Sequence, residues 1–202
     1  KPFGVVMVKI ILVLLLFLSG CTTASPLLRP TAKGQSASGR ETIQVIVQPI
    51  TTQGVGSEDE KRLGINLSDY FTAFEVTLVN HTKEAISFSL ANTYLTIADE
   101  KDQYPLNDTE SIRYYKEGDD PSRIILFPKS KKKMEKEIQT LKTIQLKEGD
   151  IQPSDQKKGL ILFKKVSQDH CKDVVLTIEG IAAIRTGEKK RFSFPFSCKE
   201  KK

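Results

Sequence analysis

The chain has 202 residues and a formal net charge of +6, from 31 basic and 25 acidic side chains. Because this excess is small, the charge balance is not that of a dedicated nucleic-acid-binding protein. The length and the 39% of hydrophobic residues are sufficient for one domain with a substantial core.

The first segment combines a basic residue with a short apolar run. Lys9 precedes the unbroken apolar residues 10–18, which are followed by the small residues Ser19 and Gly20 and then by Cys21. This order is typical of a secretory signal peptide. A membrane-spanning helix needs about 20 apolar residues, which is more than this run offers. Residues 1–20 are therefore predicted to be a signal peptide that is removed.

The residues Leu18-Ser19-Gly20-Cys21 resemble the lipobox of bacterial lipoproteins. The resemblance implies a diacylglycerol on the Cys21 thiol and cleavage just before that residue, with the alternative being an ordinary signal peptide and a chance cysteine. It implies a cell-envelope protein held at a membrane through Cys21. In a bacterium with two membranes, Thr22 favours the outer membrane, facing the periplasm; otherwise the site is the outer face of the cytoplasmic membrane.

Beyond the signal, three further segments are expected. Residues 21–40 are rich in Ser, Thr, Ala, Gly and Pro without an apolar period, which predicts a flexible tether. Fully stretched, this tether would reach about 60 Å. Residues 41–198 are expected to form one domain, and residues 199–202 a basic tail.

Alternating apolar and polar residues predict that the domain consists mainly of β-strands. The predicted strands are 43–47, 74–78, 86–90, 94–98, 123–127, 159–166, 174–181 and 191–197. The polar turn 80–83 predicts a hairpin of the second and third strands, and Thr186-Gly187 is expected to join the last two. Because Pro195 has no N–H to donate, the last strand is expected to be a sheet edge there.

One helix is predicted over residues 130–142. Met134, Ile138 and Leu141 follow the i, i+4, i+7 spacing, and Ser130 is a suitable cap. Many short strands with turns between them indicate a sandwich. The expected fold is therefore all-β, an immunoglobulin-like antiparallel β-sandwich with this one short helix inserted.

Two segments add a resemblance at the level of the family. Phe74-Glu75-Val76-Thr77-Leu78-Val79-Asn80-His81-Thr82 looks like a strand and turn of an immunoglobulin-like domain common in bacterial lipoproteins of unknown function. Ile151-Gln152-Pro153 and Lys158-Gly159-Leu160-Ile161-Leu162-Phe163 resemble its later turn and strand, although Ser154 stands where that family often has glycine. The resemblance implies an envelope protein without known enzymatic activity and transfers no binding residues.

Three sets of side chains are candidates for a site. Cys171 and Cys198 are expected to form a disulfide in an exported chain, the alternative being two free thiols. Lys131, Lys132 and Lys133 oppose the helix dipole in the first helical turn, which suggests contact with an anionic surface; the alternative is a solvated helix end. Tyr104, Tyr114 and Tyr115 would suit stacking on a sugar, or would instead fill the core under long loops.

No metal, cofactor or catalytic group is predicted. His81 and His170 are the two histidines; His170 precedes Cys171, but no third or fourth ligand stands at a metal-site spacing from this pair. The acidic residues between 99 and 110 match no EF-hand spacing, and no G-x-S-x-G motif occurs. We expect a non-enzymatic envelope lipoprotein that binds or scaffolds an envelope protein or polysaccharide, and no nucleic acid. The alternatives are a sugar- or peptide-binding module and, third, a hydrolase.

Overall fold

The structure, a computed structural model, describes residues 28–30, 43–51, 57–98, 100–117, 130–167, 171 and 173–198. Within these ranges the strands are β1 (Leu28–Pro30), β2 (Ile43–Pro49), β3 (Phe71–Asn80), β4 (Ile86–Phe88), β5 (Thr93–Ile97), β6 (Gly149–Ile151), β7 (Gln156–Lys164), β8 (Val174–Ala183) and β9 (Lys189–Cys198). They form two antiparallel sheets, so the predicted all-β sandwich with a small helical insertion is confirmed. The signal segment, Cys21, the predicted strand 123–127, His170 and the tail 199–202 lie outside the described residues.

The larger sheet has the order β1-β9-β8-β4-β6, and β5 also pairs with β8. β5 and β4 pair with successive parts of β8. β5 pairs with Val174–Ile178, and β4 pairs with Ile181–Ala183. The smaller sheet has the order β2-β3-β7. Apolar residues that alternate along the strands meet between the sheets, where Val45, Phe74 and Leu176 are completely buried.

The predicted hairpin of residues 74–90 is wrong, because β3 and β4 belong to different sheets. The turn between them carries the chain across the sandwich, and buried Asn80 holds it there. Its side-chain amide donates to the carbonyl oxygens of Glu84 at 2.8 Å and Ile151 at 3.0 Å, and its Oδ1 accepts from the Thr82 N–H at 3.0 Å. These bonds satisfy a buried polar side chain and direct the chain towards the second sheet.

Helices cover the outer face of the smaller sheet. They are α1 (Glu58–Leu63), a 3₁₀ turn (Leu67–Asp69), α2 (Asp108–Glu117) and α3 (Lys131–Ile144). Because strand side chains alternate in direction, Phe74 of β3 faces the sandwich core while Phe71 and Ala73 contribute to a second cluster with Leu141 of α3. The molecule therefore has a third, helical layer over part of one sheet.

The predicted helix is confirmed, and two others were not predicted. The hydroxyl of Ser130 accepts from the Lys133 N–H at 3.2 Å and so caps α3, whose residues Met134 and Ile138 pack against the second cluster. The sequence pattern predicts no helix or strand for the residues that form α1 and α2. These helices are short and acidic at their starts, and they present few apolar residues at helical spacing.

Three residues of the expected tether form β1. Leu28 pairs with Cys198 and Pro30 with Phe196, which also pairs with Val174, so β9 lies between β1 and β8 at Phe196. The described pairing with β1 begins at Phe196, so the expected sheet edge at Pro195 stays a prediction. Pro195 itself lies one residue before the part of β9 that pairs with β1.

Candidate functional site

An open cleft of about 500 Å³ lies among the described residues. The turn after β4, the start of α2 and the segment between α3 and β6 form it. Its lining residues are Leu90, Asn107, Asp108, Thr109, Glu110, Gln145, Leu146, Lys147 and Glu148. Most of these side chains are polar, so the cleft suits a ligand that makes hydrogen bonds.

The start of α2 forms one wall through a reciprocal cap. The Glu110 N–H donates to Asn107 Oδ1 at 2.9 Å, and the Asn107 N–H donates to Glu110 Oε2 at 3.0 Å. This capping box satisfies two N–H groups that the first helical turn would leave open. Asp108 pairs with Lys147 Nζ at 2.8 Å across the cleft. Of the acidic residues between 99 and 110, Asp108 and Glu110 therefore lie in the first turn of a helix.

Glu148 fixes the opposite wall. Its Oε1 accepts from the Ser89 hydroxyl at 2.7 Å and from the Leu90 N–H at 2.6 Å. These two hydrogen bonds lower the pKa of Glu148 below its ordinary value, and the bond from Ser89 has the larger effect. Slight burial raises the pKa, but by less than the hydrogen bonds lower it. A carboxylate held in its charged form accepts hydrogen bonds at neutral pH, and it is a poor proton donor.

Gln145 joins the two helices beneath the cleft. It is buried, and its side-chain amide donates to Ser111 Oγ at 2.8 Å and to the Leu141 carbonyl at 3.1 Å. The Ser111 hydroxyl in turn donates to the Asp108 carbonyl at 3.0 Å. This chain of bonds fixes α2 against α3, so the walls of the cleft are positioned before any ligand arrives.

The three candidate tyrosines do not form a shared stacking surface. Tyr115 is buried and donates its hydroxyl to Glu137, and Tyr114 packs beside Phe71 with ring centroids 5.6 Å apart. Only Tyr104 is widely exposed, at 62%. The two adjacent tyrosines fill the second cluster because α2 presents them to the smaller sheet. Tyr114 and Tyr115 therefore fill the core, which was the alternative to stacking on a sugar.

The three candidate lysines begin α3, and all are exposed. Lys133 reaches across to α1, where its ammonium lies 3.5 Å from Glu60. The i, i+4 spacing on the helix favours Glu137 as the partner of Lys133, but Glu137 is 2% exposed and accepts from Tyr115. An acidic partner from another helix therefore offsets part of the charge that opposes the helix dipole.

The candidate cysteine pair lies at one end of the β8–β9 hairpin. Cys171 is buried and disulfide-bonded. The register pairs Val174 with Phe196, which places Cys171 and Cys198 beyond the same end of that hairpin. The bridge between these two residues stays a prediction that this register supports.

Other candidate ligands are dispersed. His81 is exposed, and its Nε2 lies 3.3 Å from Gln44 Oε1. Among the described ranges, no three His, Cys, Asp or Glu side chains converge as a metal site would require. The cleft itself was not predicted from the sequence. The pattern Asn107-x-x-Glu110 was a detectable signal, because it is the sequence form of a capping box.

Comparisons of the chain with protein-family models, curated proteins and solved structures found no match. None of the helices in the part of the chain that the structure describes has the length and hydrophobicity to span a membrane.

Proposed function

We propose that this chain is a non-enzymatic lipoprotein of the bacterial cell envelope that binds or scaffolds another envelope component. The observation that carries the proposal is the sequence Leu18-Ser19-Gly20-Cys21 directly after the short apolar run 10–18. A signal of this kind exports the chain, and lipid on Cys21 keeps the folded domain beside a membrane.

The disulfide supports export. A structural disulfide forms and persists outside the reducing cytoplasm, and Cys171 is both buried and disulfide-bonded. Its burial protects the bond from reductants in solution. The oxidation state therefore agrees with an envelope location and is independent of the signal sequence.

The cleft supports a binding role. Glu148 and Glu110 are engaged by hydrogen bonds within the protein, and Asp108 is engaged by Lys147. Their carboxylates give the cleft a fixed polar rim that suits donors on a partner, such as backbone or hydroxyl groups. Because the cleft is open, it suits a segment of a larger molecule.

Anchoring is tested by growing a bacterium that expresses the chain with an alkyne-tagged palmitate. We expect the protein to carry the tag, to begin at Cys21 and to sediment with membranes. The Cys21→Ser variant should lose the tag. The Cys171→Ser/Cys198→Ser double variant is the matched control and should keep it, since it retains Cys21. A tag that persists in Cys21→Ser, or a mature terminus upstream of that residue, contradicts the proposal.

The binding role is tested by placing a photo-crosslinking amino acid in cells at either of two exposed threonines. Thr109 lies on the rim of the cleft, whereas Thr186 lies on the β8–β9 turn. A discrete crosslinked species from position 109 that is absent from position 186 is expected. Equal capture at both positions, or capture at neither, argues against a role for the cleft.

A further inference from the structure

The strand β1 changes how far the domain can stand from an anchor at Cys21. Its register places Leu28 opposite Cys198, and β1 also contacts β2, so this segment joins the edge of the sandwich. Seven residue steps separate Cys21 from Leu28 in the sequence. Whatever their conformation, seven steps span at most about 25 Å. The reach of about 60 Å expected for a free tether is therefore more than halved.

This reach is shorter than the sandwich is long. The ten residues of β9 extend for about 30 Å. Leu28 lies at the Cys198 end of β9, and the turn that contains Gly187 lies beyond the other end. An anchor within about 25 Å of Leu28 keeps the Cys198 end of β9 within that distance of the membrane, whereas the anchor sets no such limit on the Gly187 turn at the other end.

Two other features lie at the end that carries Leu28. Val174 pairs with Ile97 and with Phe196, so the start of β8 and the loop after β5 lie there. Leu95 and Gln103 pair with each other, and the exposed Lys101 lies in the loop between them. We define the anchor end by Leu28, Lys101, Val174 and Phe196.

We propose that the pairing of β1 with β9 turns the anchor end of the sandwich towards the phospholipid surface. The Gly187 turn then points away from the bilayer. β1 and β6 are opposite edges of the larger sheet, so the cleft beside β6 lies on the edge away from the anchoring strand. The proposal rests on the proposed attachment of lipid at Cys21 and adds a fixed orientation to it.

The test uses residues 21–202 with the disulfide oxidised, coupled through the Cys21 thiol to a maleimide phospholipid in phosphatidylcholine vesicles. A donor dye on an encoded azide at position 101 or 186 reports energy transfer to an acceptor dye in the bilayer. Since coupling is chemical, the outcome does not depend on whether a cell lipidates Cys21. We expect at least twofold higher transfer from position 101 than from position 186.

The Leu28→Pro/Arg29→Pro double variant removes both N–H groups that β1 could donate to β9. Its anchor then reaches as far as the free tether, and the difference between positions 101 and 186 should fall by at least half. The Ala32→Pro/Lys33→Pro variant is the matched control, because it adds the same number of prolines outside Leu28–Pro30 and leaves the number of residues between Cys21 and Leu28 unchanged, and it should behave as the parent. Equal transfer from both positions in the parent, or no effect of the β1 prolines, overturns the orientation.

Discussion

Gly180 lies where β8 changes partners, and its replacement by alanine tests the packing of the larger sheet. The pairing of β8 with β9 shifts register between Ile178 and Ile181, and the Ser89 N–H donates to the Gly180 carbonyl at 2.8 Å. A Cβ added at Gly180 would lie 1.7 Å from the Ser89 carbonyl oxygen. Ordinary carbon–oxygen contacts are about 3.3 Å or longer, so one backbone segment would have to move by about 1.5 Å.

That movement is costly because Glu148 holds Ser89 and Leu90 in place. The Ser89 hydroxyl and the Leu90 N–H both donate to this carboxylate, at 2.7 and 2.6 Å. Overpacking costs roughly 1–3 kcal/mol, and each lost hydrogen bond costs about 1 kcal/mol. We expect Gly180→Ala to destabilise the domain by about 3 kcal/mol or more. For a chain of this size, that corresponds to a Tm lower by roughly 6–12 °C.

The measurement is thermal and urea unfolding followed by circular dichroism. Gly187→Ala is the matched control, since a Cβ at Gly187 meets nothing within 4 Å and only the φ of +69° is unfavourable. That strain costs roughly 1–2 kcal/mol. If Gly180→Ala unfolds at the same temperature and urea concentration as the control, the close approach to Ser89 is refuted.

Three other substitutions test local energetics. Ser154 has a φ of +67° after Pro153, so Ser154→Gly should raise the free energy of unfolding by about 0.5–1 kcal/mol in urea titrations; a loss of stability would contradict the strain. The Thr93 hydroxyl is buried and has no hydrogen-bond partner among the described residues. Thr93→Val should therefore raise the free energy of unfolding by about 1 kcal/mol and raise the Tm with it. A lower Tm would indicate that the hydroxyl has a partner. Burial raises the pKa of Glu75, but hydrogen bonds from Arg62 and Lys158 outweigh it and leave the pKa below its ordinary value of 4.5. Glu75 therefore stabilises the fold above that ordinary pKa and loses this contribution as pH falls through the lowered folded value, so Glu75→Gln should flatten the acid limb of stability against pH; a parallel curve would refute this.

Local periodicity was a sound guide to which segments form strands and which residues face inward. Ile43, Val45 and Val47 alternate in the sequence and are buried in β2, and the spacing of Met134, Ile138 and Leu141 predicted α3. These predictions succeed because a strand repeats every two residues and a helix every 3.6, so one buried face appears directly as a pattern. The capped start of α3 at Ser130 is equally local.

Patterns of this kind could not reveal which elements meet. Residues 74–90 have the pattern of a hairpin, yet β3 and β4 enter different sheets because the bonds of Asn80 cross the sandwich. The i, i+4 spacing alone would make Glu137 an exposed partner for Lys133 on a helix surface, but α2 brings Tyr115 onto Glu137 and buries both. The walls of the cleft come from segments near residues 90, 108 and 147, which lie far apart along the chain.

The sequence by itself predicted an export and lipidation signal, and it determined the strand periodicity and the α3 helix, because each depends on residues that are close along the chain. The tertiary structure alone decided the assignment of strands to sheets, the helical layer and the cleft. It also decided that Leu28–Pro30 joins β9 instead of continuing the tether. Strand pairing is a contact between distant segments, and its free energy depends on the register and packing of both partners, which no single segment contains.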